Sequence, residues 1–290
     1  MKNLFLTKSP IQKITFKGFE FYIKRDDLLG QINGNKARKL AFYLHQNYPK
    51  NQRFISFGGL QSNALEALSI FTKLKGYKLI YFCEKIPQFL KQNPCGNYAL
   101  ALNNGVVFKE NLQAKNLKEF ALSFCKENDV FIEQGVANLN AEFGLKELAK
   151  ELEIQSKKLQ IDFDIFLPSG TGTSAAFLAK NSNFDIYTCA CVGDSEYLKK
   201  QILNILPNFD FKNLHILNSV KKYYFAKPYL EFYELYKQIK IECNIEFDLL
   251  YDMLGLNIAL NHNFSKPLLY IHQGGINGNT SMFERYKRLF

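Results

Sequence analysis

The sequence predicts an α/β fold in which mainly parallel strands alternate with helices. Apolar runs of strand length recur along the chain, as at residues 54–59, 79–84 and 105–110. The segments between them have helical periodicity, and several of them end at a glycine. Because consecutive parallel strands must be joined by crossovers, this alternation favours open sheets flanked by helices.

The first half of the chain contains its own set of strand–helix units. Its strand-like and helix-like segments are, in order, FISFGG (54–59), SNALEALSIFTKLKG (62–76), LIYFCE (79–84), GNYALALNNG (96–105) and GVVFKE (105–110). These units predict a smaller inserted α/β domain at residues 40–135. The larger domain then comprises residues 1–39 and 136–290.

The second half repeats one design, an apolar strand that ends in a glycine-bearing turn. The three examples are DIFLPSG (164–170), DIYTCACVGD (185–194) and LLYIHQGG (268–275). In open α/β sheets, ligands bind beyond the carboxyl ends of the strands. We therefore expect the functional residues in these turns.

Composition excludes several classes of protein. Of the 290 residues 47% are apolar, with 27 Phe and 16 Tyr, so the chain is not intrinsically disordered. No apolar run has membrane-spanning length, and lysines interrupt the first twenty or so residues, so we expect a cytoplasmic protein without a signal peptide. The six Cys and four His lack metal-ligand spacing, so we expect reduced thiols and no metal.

The positive charge is concentrated near the N-terminus. The net charge is +10, and residues 1–60 hold 11 Lys and Arg against 3 acidic residues. Nucleic-acid binding is one interpretation. The stretch has no contiguous basic run, however, and the same charge can serve one small anionic ligand.

A turn of small and hydroxyl-bearing residues, 169–174, lies between the strand FDIFLP and the helix AAFLAK. Backbone N–H groups at a helix N-terminus, together with these hydroxyls, predict a phosphate cradle. The segment also matches the dinucleotide fingerprint Gly170-x-Gly172-x-x-Ala175, with Asp194 after the next strand. A nicotinamide-dependent oxidoreductase is therefore an alternative, as is a plain capped turn.

Three other motifs carry candidate chemistry. Lys36 and Lys39 in GNKARKL share a helix face, so one amine can form a Schiff base while the other neutralises a phosphate. The segment GGLQSN (58–63) offers a second anion nest at a helix N-terminus. DLLYD (248–252) places a phenol beside a carboxylate. Taken singly, each also fits an ordinary turn or surface.

In this order, the motifs resemble the 1-aminocyclopropane-1-carboxylate deaminase/D-cysteine desulfhydrase family, which belongs to the tryptophan-synthase-β-like pyridoxal-phosphate enzymes of fold type II. The similarity extends from about residue 20 to 280 through IKRDDLLG, GNKARKL, GGLQSN, GNYAL, GVVF, SGTGTSAA and IHQGG. It implies two domains, each an open, mainly parallel, twisted sheet flanked by helices. Pyridoxal 5′-phosphate would bind in the cleft between them.

The resemblance also implies roles for individual residues. Lys36 would hold the cofactor covalently, Asn63 would bond its phenolic oxygen, and Asp252 would lie near its pyridine nitrogen. The phosphate would be bound by Lys39, Thr171, Gly172, Thr173 and Ser174. Ser62, Tyr229 and Tyr251 would act on the substrate, and its carboxylate would be held by Gln61, Ser62 and Asn63.

Two departures from the family pattern lie near the substrate. Ala64 follows GGLQSN where the family usually has His or Gln, and Gln273 replaces a Leu or Thr. The expected function is a deaminating lyase acting on a small amino acid by D-cysteine-like β-elimination. Ring opening of 1-aminocyclopropane-1-carboxylate and a catalytically silent amino-acid-binding homologue are the alternatives. We also expect a homodimer and no nucleic-acid or membrane partner.

Overall fold

The structure, a computed structural model, describes residues 8–112 and 116–289. Its strands are β1 (Ile11–Phe16), β2 (Phe19–Lys24), β3 (Arg53–Phe57), β4 (Lys78–Glu84), β5 (Val107–Asn111), β6 (Val130–Phe131), β7 (Asp164–Phe166), β8 (Asp185–Cys189), β9 (Leu214–Leu217) and β10 (Leu268–Ile271). Part of the segment that argues against a signal peptide, residues 1–7, lies outside the described residues.

The helices connect these strands in the predicted alternation. They are α1 (Gly34–His45), α2 (Asn63–Lys75), α3 (Gln88–Gln92), α4 (Gly96–Asn103), α5 (Leu117–Leu122), α6 (Glu142–Leu159), α7 (Thr173–Lys180), α8 (Ser195–Ile205), α9 (Leu230–Cys243), α10 (Asp252–Ala259) and α11 (Asn279–Tyr286). Within 8–112 and 116–289, no helix is both long and apolar enough to cross a membrane.

The larger sheet has six strands in the order β1-β2-β10-β7-β8-β9. Strands β2 to β9 in this order pair in parallel, whereas β1 pairs with β2 as an antiparallel hairpin. The hairpin turns through Lys17 and Gly18, both at positive φ, which matches the twist of the flanking strands. Sequence periodicity did not predict this edge hairpin.

The smaller sheet has four parallel strands in the order β5-β4-β3-β6. All four lie between residues 53 and 131, inside the interval 40–135 that the sequence suggests for an inserted domain. Helix α1 runs from residue 34 to residue 45, so the boundary proposed near residue 40 falls within a helix. The domain limits stay a prediction.

The local sequence explains why the loops that follow the strands meet at one place. Most residues of β3 are buried, as expected for a parallel strand covered on both faces. After β3 the chain turns at Gly58, and Ser62 caps α2, which ends at Gly76 in the left-handed conformation. The loops after β3, β7 and β10 and the start of α1 therefore converge at the carboxyl ends of the two sheets.

Candidate active site

A cleft of about 1050 Å³ lies where these loops meet. It is lined by residues from most of the motifs that the sequence singles out, namely Lys36, Lys39, Ser62, Asn63, Gly170, Thr171, Asp248, Tyr251 and Gln273. The larger sheet contributes the turns after β7 and β10, and the smaller sheet contributes the loop after β3. The structure thus brings together segments more than two hundred residues apart in sequence.

Lys36 lies in the first turn of α1, at the wall of the cleft. Its Nζ donates a hydrogen bond to Asn35 Oδ1 at 2.8 Å. Burial lowers the pKa of Lys36 to about 8, against the opposing effect of the Asp248 and Glu66 carboxylates. A larger fraction of the amine is therefore neutral near pH 7, and a neutral amine is the form that acts as nucleophile or base.

Gly34 explains how α1 reaches this position. A Cβ at residue 34 would lie 1.7 Å from the backbone oxygen of Gln273, and the residue has φ of +59°. The adjacent Asn35 N–H donates to the same Gln273 oxygen at 3.1 Å. The glycine lets the helix start approach the turn after β10, which places Lys36 beside Gln273.

Lys39 is a second, deeper amine on the same helix. It is 3% exposed, and its Nζ donates to the backbone oxygen of Gly135 at 3.1 Å. Burial, followed by the positive charge of Lys36, holds the pKa of Lys39 well below its usual value. A bound anion at this point would restore the charged form of Lys39 by supplying the missing opposite charge.

The turn before α7 supplies further groups for an anion. The hydroxyls of Thr171 and Thr173 lie 2.8 Å apart. Ser174 Oγ is buried and has no hydrogen-bond partner within the described part of the chain. Gly172 has φ of +71°, and a Cβ there would lie 2.4 Å from Ile202. First-turn N–H groups of a helix have no intrahelical acceptor, so together with Lys39 this turn fits a phosphate.

Ser62 and Asn63 open α2 at the opposite side of the cleft. Ser62 Oγ accepts the Ala64 N–H at 3.1 Å, and Ser62 lies within hydrogen-bonding reach of the buried Tyr81 hydroxyl. Asn63 Oδ1 accepts from Asn97 Nδ2 at 3.1 Å. The hydroxyl and the amide therefore reach the cleft already held in place by neighbours.

The Gln61 side chain turns away from the cleft toward the start of α4. Its Oε1 accepts the Asn97 N–H at 3.0 Å, and its Nε2 donates to the Cys95 oxygen at 3.1 Å. A role for Gln61 in holding a substrate carboxylate can therefore involve its backbone but not its side chain. The side chain ties the GGLQSN loop to α4.

The structure places the two carboxylates of DLLYD in different surroundings. Asp252 is fully buried behind the cleft wall, where its Oδ1 accepts from the Tyr270 hydroxyl at 2.8 Å and its Oδ2 from the Asp248 N–H at 3.2 Å. Asp248, rather than Asp252, lines the cleft. Burial raises the pKa of Asp248 to about 6, although N–H groups that donate to its side chain partly oppose that rise.

The two tyrosines that the resemblance assigns to the substrate also differ in their placement. Tyr251 lines the cleft and packs over Gly170, where a Cβ would lie 3.2 Å from the ring. Tyr229 is the residue before α9 and does not line the cleft. Its hydroxyl accepts the Tyr224 N–H at 2.9 Å. Phe225 takes the place at the cleft, with its ring centroid 5.2 Å from that of Tyr251.

Other predicted residues have structural explanations. Asp194 caps α8 by accepting the Tyr197 N–H at 2.8 Å and does not line the cleft, so it is not positioned for the ribose of a dinucleotide. Among residues 8–112 and 116–289, no cluster of His, Cys, Asp or Glu is arranged for a metal ion. No motif suggested Lys118 or Glu66. Lys118 lines the cleft, and Glu66 lies near Lys36.

Comparison with solved structures establishes the fold. A crystal structure described as that of the ACC deaminase homologue matches with a TM-score of 0.78 at 22% identity, covering 99% of this chain and 95% of that chain. A hydrogen sulfide-producing enzyme from Fusobacterium nucleatum matches with a TM-score of 0.66 at 16% identity, covering 94% and 97%. A pyridoxal 5′-phosphate-dependent aspartate racemase matches with a TM-score of 0.62 at 14% identity, covering 93% and 91%.

These likenesses extend over nearly the whole chain. No family model matches the sequence, and neither does any curated protein. The likeness shown by these comparisons is therefore one of fold. The fold class predicted from the sequence is confirmed: the chain has the α/β fold, with two parallel-sheet units, of the fold type II pyridoxal-phosphate enzymes.

Proposed function

We propose that the chain is a pyridoxal 5′-phosphate-dependent lyase that deaminates a small amino acid, with D-cysteine as the first candidate substrate. The observation that carries the proposal is one cleft that Lys36, an amine of lowered pKa, shares with the candidate anion-binding groups Lys39 and Thr171. The likeness in fold to structures named as an ACC deaminase homologue, a hydrogen sulfide-producing enzyme and a pyridoxal 5′-phosphate-dependent aspartate racemase supports it.

The residues of the cleft fit the cofactor. Lys36 would bind it covalently, and Asp248 would lie close to Lys36 as a counter-charge. Its phosphate would be bound by the Lys39 amine, which lines the cleft, and by the Ser174 hydroxyl, which is buried in the first turn of α7 and has no partner within the described residues. When bound, pyridoxal 5′-phosphate withdraws electrons from the substrate Cα. The protein then has to orient the amino acid and move protons.

The chain's own groups are suited to those tasks. The α2 N-terminus at Ser62 can hold the substrate carboxylate through backbone N–H groups. The Lys36 amine, once free, can take the Cα proton of D-cysteine as a general base. The Tyr251 hydroxyl can hold a proton at the departing sulfur, because burial raises the pKa of Tyr251 and keeps the phenol protonated.

A second candidate substrate is 1-aminocyclopropane-1-carboxylate. It has no Cα proton, so ring opening would need the Ser62 and Tyr251 hydroxyls rather than the Lys36 base as the first actors. The ACC deaminase homologue among the similar structures favours this candidate, and the hydrogen sulfide-producing enzyme favours D-cysteine. Ala64 and Gln273 line the cleft and depart from the family pattern, which leaves a silent amino-acid-binding protein as a third outcome.

The test is turnover of both amino acids by the full chain supplied with pyridoxal 5′-phosphate. We expect D-cysteine to give pyruvate, ammonia and sulfide, and Lys36→Ala, as the matched control, to give none above background. Production of 2-oxobutanoate from the cyclopropane amino acid would select the second candidate. A change in the visible spectrum on addition of amino acid, without product from either compound, would select the silent homologue and contradict the lyase.

A further inference from the structure

Lys36 lies between two spaces and lines both of them. One is the substrate cleft, and the other is a small pocket of about 10 Å³ behind it. Asn63 and Gln273 line both spaces as well, whereas Glu66 and Gln31 line only the small pocket. Because Gln31 is exposed, the small pocket lies close to the surface. The lysine can therefore exchange protons on a side that substrate does not occupy.

The small pocket is built to hold a water molecule. Its volume is close to the roughly 10–15 Å³ that one water needs. Gln273 is 6% exposed, and neither its Oε1 nor its Nε2 has a hydrogen-bond partner among the described residues. A buried amide of this kind normally has a partner, and a water in the pocket would supply one.

Glu66 is the acid–base group of this pocket. It lies in the first turn of α2 and is partly buried, one helical turn beyond Ser62. Burial raises the pKa of Glu66 to about 7, with the Lys36 charge opposing the rise. The charged groups facing Lys36 are Asp248, Glu66 and Lys39, and Asp248 is engaged with the N–H groups of its own loop. Glu66 is therefore the carboxylate free to exchange protons.

We propose that Glu66, through a water bound by Gln273, relays protons between Lys36 and solvent on the face of the lysine opposite the substrate. A proton leaves the Lys36 ammonium for the water, and the water passes a proton to the Glu66 carboxylate. The products are a neutral Lys36 amine, an unchanged water and a neutral Glu66, which then releases its proton to solvent. The inference rests on the proposed function, in which Lys36 is the base. Glu66 is a positioning residue, since it acts through Lys36.

The first test measures the pKa of Lys36 in the full chain without cofactor. Competitive acetylation across the neutral and alkaline range, followed by peptide mapping, reports the pKa of that one amine. Glu66→Gln removes an opposite charge, so we expect the pKa of Lys36 to fall below its wild-type value of about 8. Glu119→Gln, an exposed acid on α5, is the matched control and should leave it unchanged.

The second test is the pH profile of turnover with D-cysteine. Wild-type rate should rise through about pH 7, because Glu66 must ionise before it can accept a proton. In Glu66→Gln, the rise in rate near pH 7 that depends on Glu66 should be lost. The remaining rise should follow the pKa of Lys36 and should lie at lower pH than in wild type. Glu66→Ala should be slow by about tenfold or more and should recover with added formate, which restores a carboxylate in the space vacated.

A Gln273→Leu variant keeps the relay testable if the Glu66 variants fail to fold. The Gln273 amide has no protein partner in 8–112 and 116–289, so the variant should keep its thermal midpoint yet lose the limb near pH 7. An unchanged pKa of Lys36 in Glu66→Gln, or a pH profile identical to wild type, would overturn the relay. If Lys36 takes up no cofactor at all, the proposed function itself fails. That result differs from an unchanged pKa of Lys36 and from an unchanged pH profile.

Discussion

Lys36 and Lys39 are three residues apart on one helix, and their surroundings differ. Lys36 faces two carboxylates, whereas Lys39 has a backbone oxygen and the charge of Lys36 as neighbours. The sequence predicted that the pair would share a face. It was unable to distinguish Asp248 from Asp252, because residues four apart in a turn can exchange places at a cleft wall. The difference arises from Tyr270, whose hydroxyl bonds the Asp252 carboxylate behind that wall.

Ser62 is the residue whose side chain and backbone roles can be separated. Ser62→Ala keeps the N–H groups of the α2 N-terminus but removes the hydroxyl near Tyr81 and the cap on Ala64. We expect turnover to fall by about a hundredfold to ten-thousandfold. Loss of the cap should cost about 1 kcal/mol of folding free energy.

The measurement is the rate of keto-acid release together with a thermal melt. Ser69→Ala serves as a control on the same helix, because the Ser69 hydroxyl bonds the Glu66 backbone oxygen and does not line the cleft. Equal turnover by wild type and Ser62→Ala would remove the hydroxyl from the mechanism.

At the scale of elements, the start of α1 is fixed by its approach to the turn after β10. Gly34→Ala would place a methyl group 1.7 Å from the Gln273 oxygen, so the helix start has to move. We expect a large fall in thermal midpoint and weakened cofactor retention, because Lys36 moves with the helix.

Gly105→Ala is the matched control for Gly34→Ala. Gly105 has φ of +82°, but nothing lies within 4 Å of its Cβ position. Gly105→Ala should lower the free energy of unfolding only by its backbone strain, about 1–2 kcal/mol. If the two variants melt alike and both retain the cofactor, close approach at Gly34 does not position Lys36.

Sequence patterns predicted most elements because strand and helix periods are local properties. FISFGG, LIYFCE and LLYIHQGG correspond to β3, β4 and β10, and Gly76 ends α2 as expected. The segment FAKPY (225–229), which contains the predicted Tyr229, is placed differently from expectation. Tyr229 is held by Tyr224 and the α9 N-terminus, so Phe225 reaches the cleft instead. Which aromatic in a short loop faces inward depends on packing between distant elements.

At the scale of the whole molecule, a buried ion cluster joins four parts of the chain. Glu151 of α6 accepts from Lys24 Nζ of β2 at 2.6 Å, pairs with Arg38 of α1 at 2.9 Å, and accepts the Ser9 N–H at 2.8 Å. Arg38 also pairs with Asp26 at 2.7 Å. Arg38 adjoins Lys39, so the cluster fixes the helix that carries both amines.

Glu151→Gln would remove the carboxylate that Lys24 pairs with and would leave Arg38 with Asp26 alone. We expect a loss of about 3–5 kcal/mol in the free energy of unfolding. Glu147→Gln on the same helix removes an exposed ion pair with Lys150 and should change the free energy of unfolding by less than about 1 kcal/mol. Denaturant unfolding of the two variants measures both changes. Equal midpoints would show that the cluster does not stabilise the fold.

The central claim is that this cleft holds pyridoxal 5′-phosphate on Lys36. Borohydride reduction of the protein incubated with the cofactor, followed by peptide mapping, tests it most directly. We predict one pyridoxyl adduct, on Lys36, and its loss in Lys36→Ala. Because Lys39 donates a hydrogen bond to the Gly135 oxygen and is proposed to bind the phosphate, it should carry none. An adduct on Lys39, or no adduct on either lysine, would contradict the account.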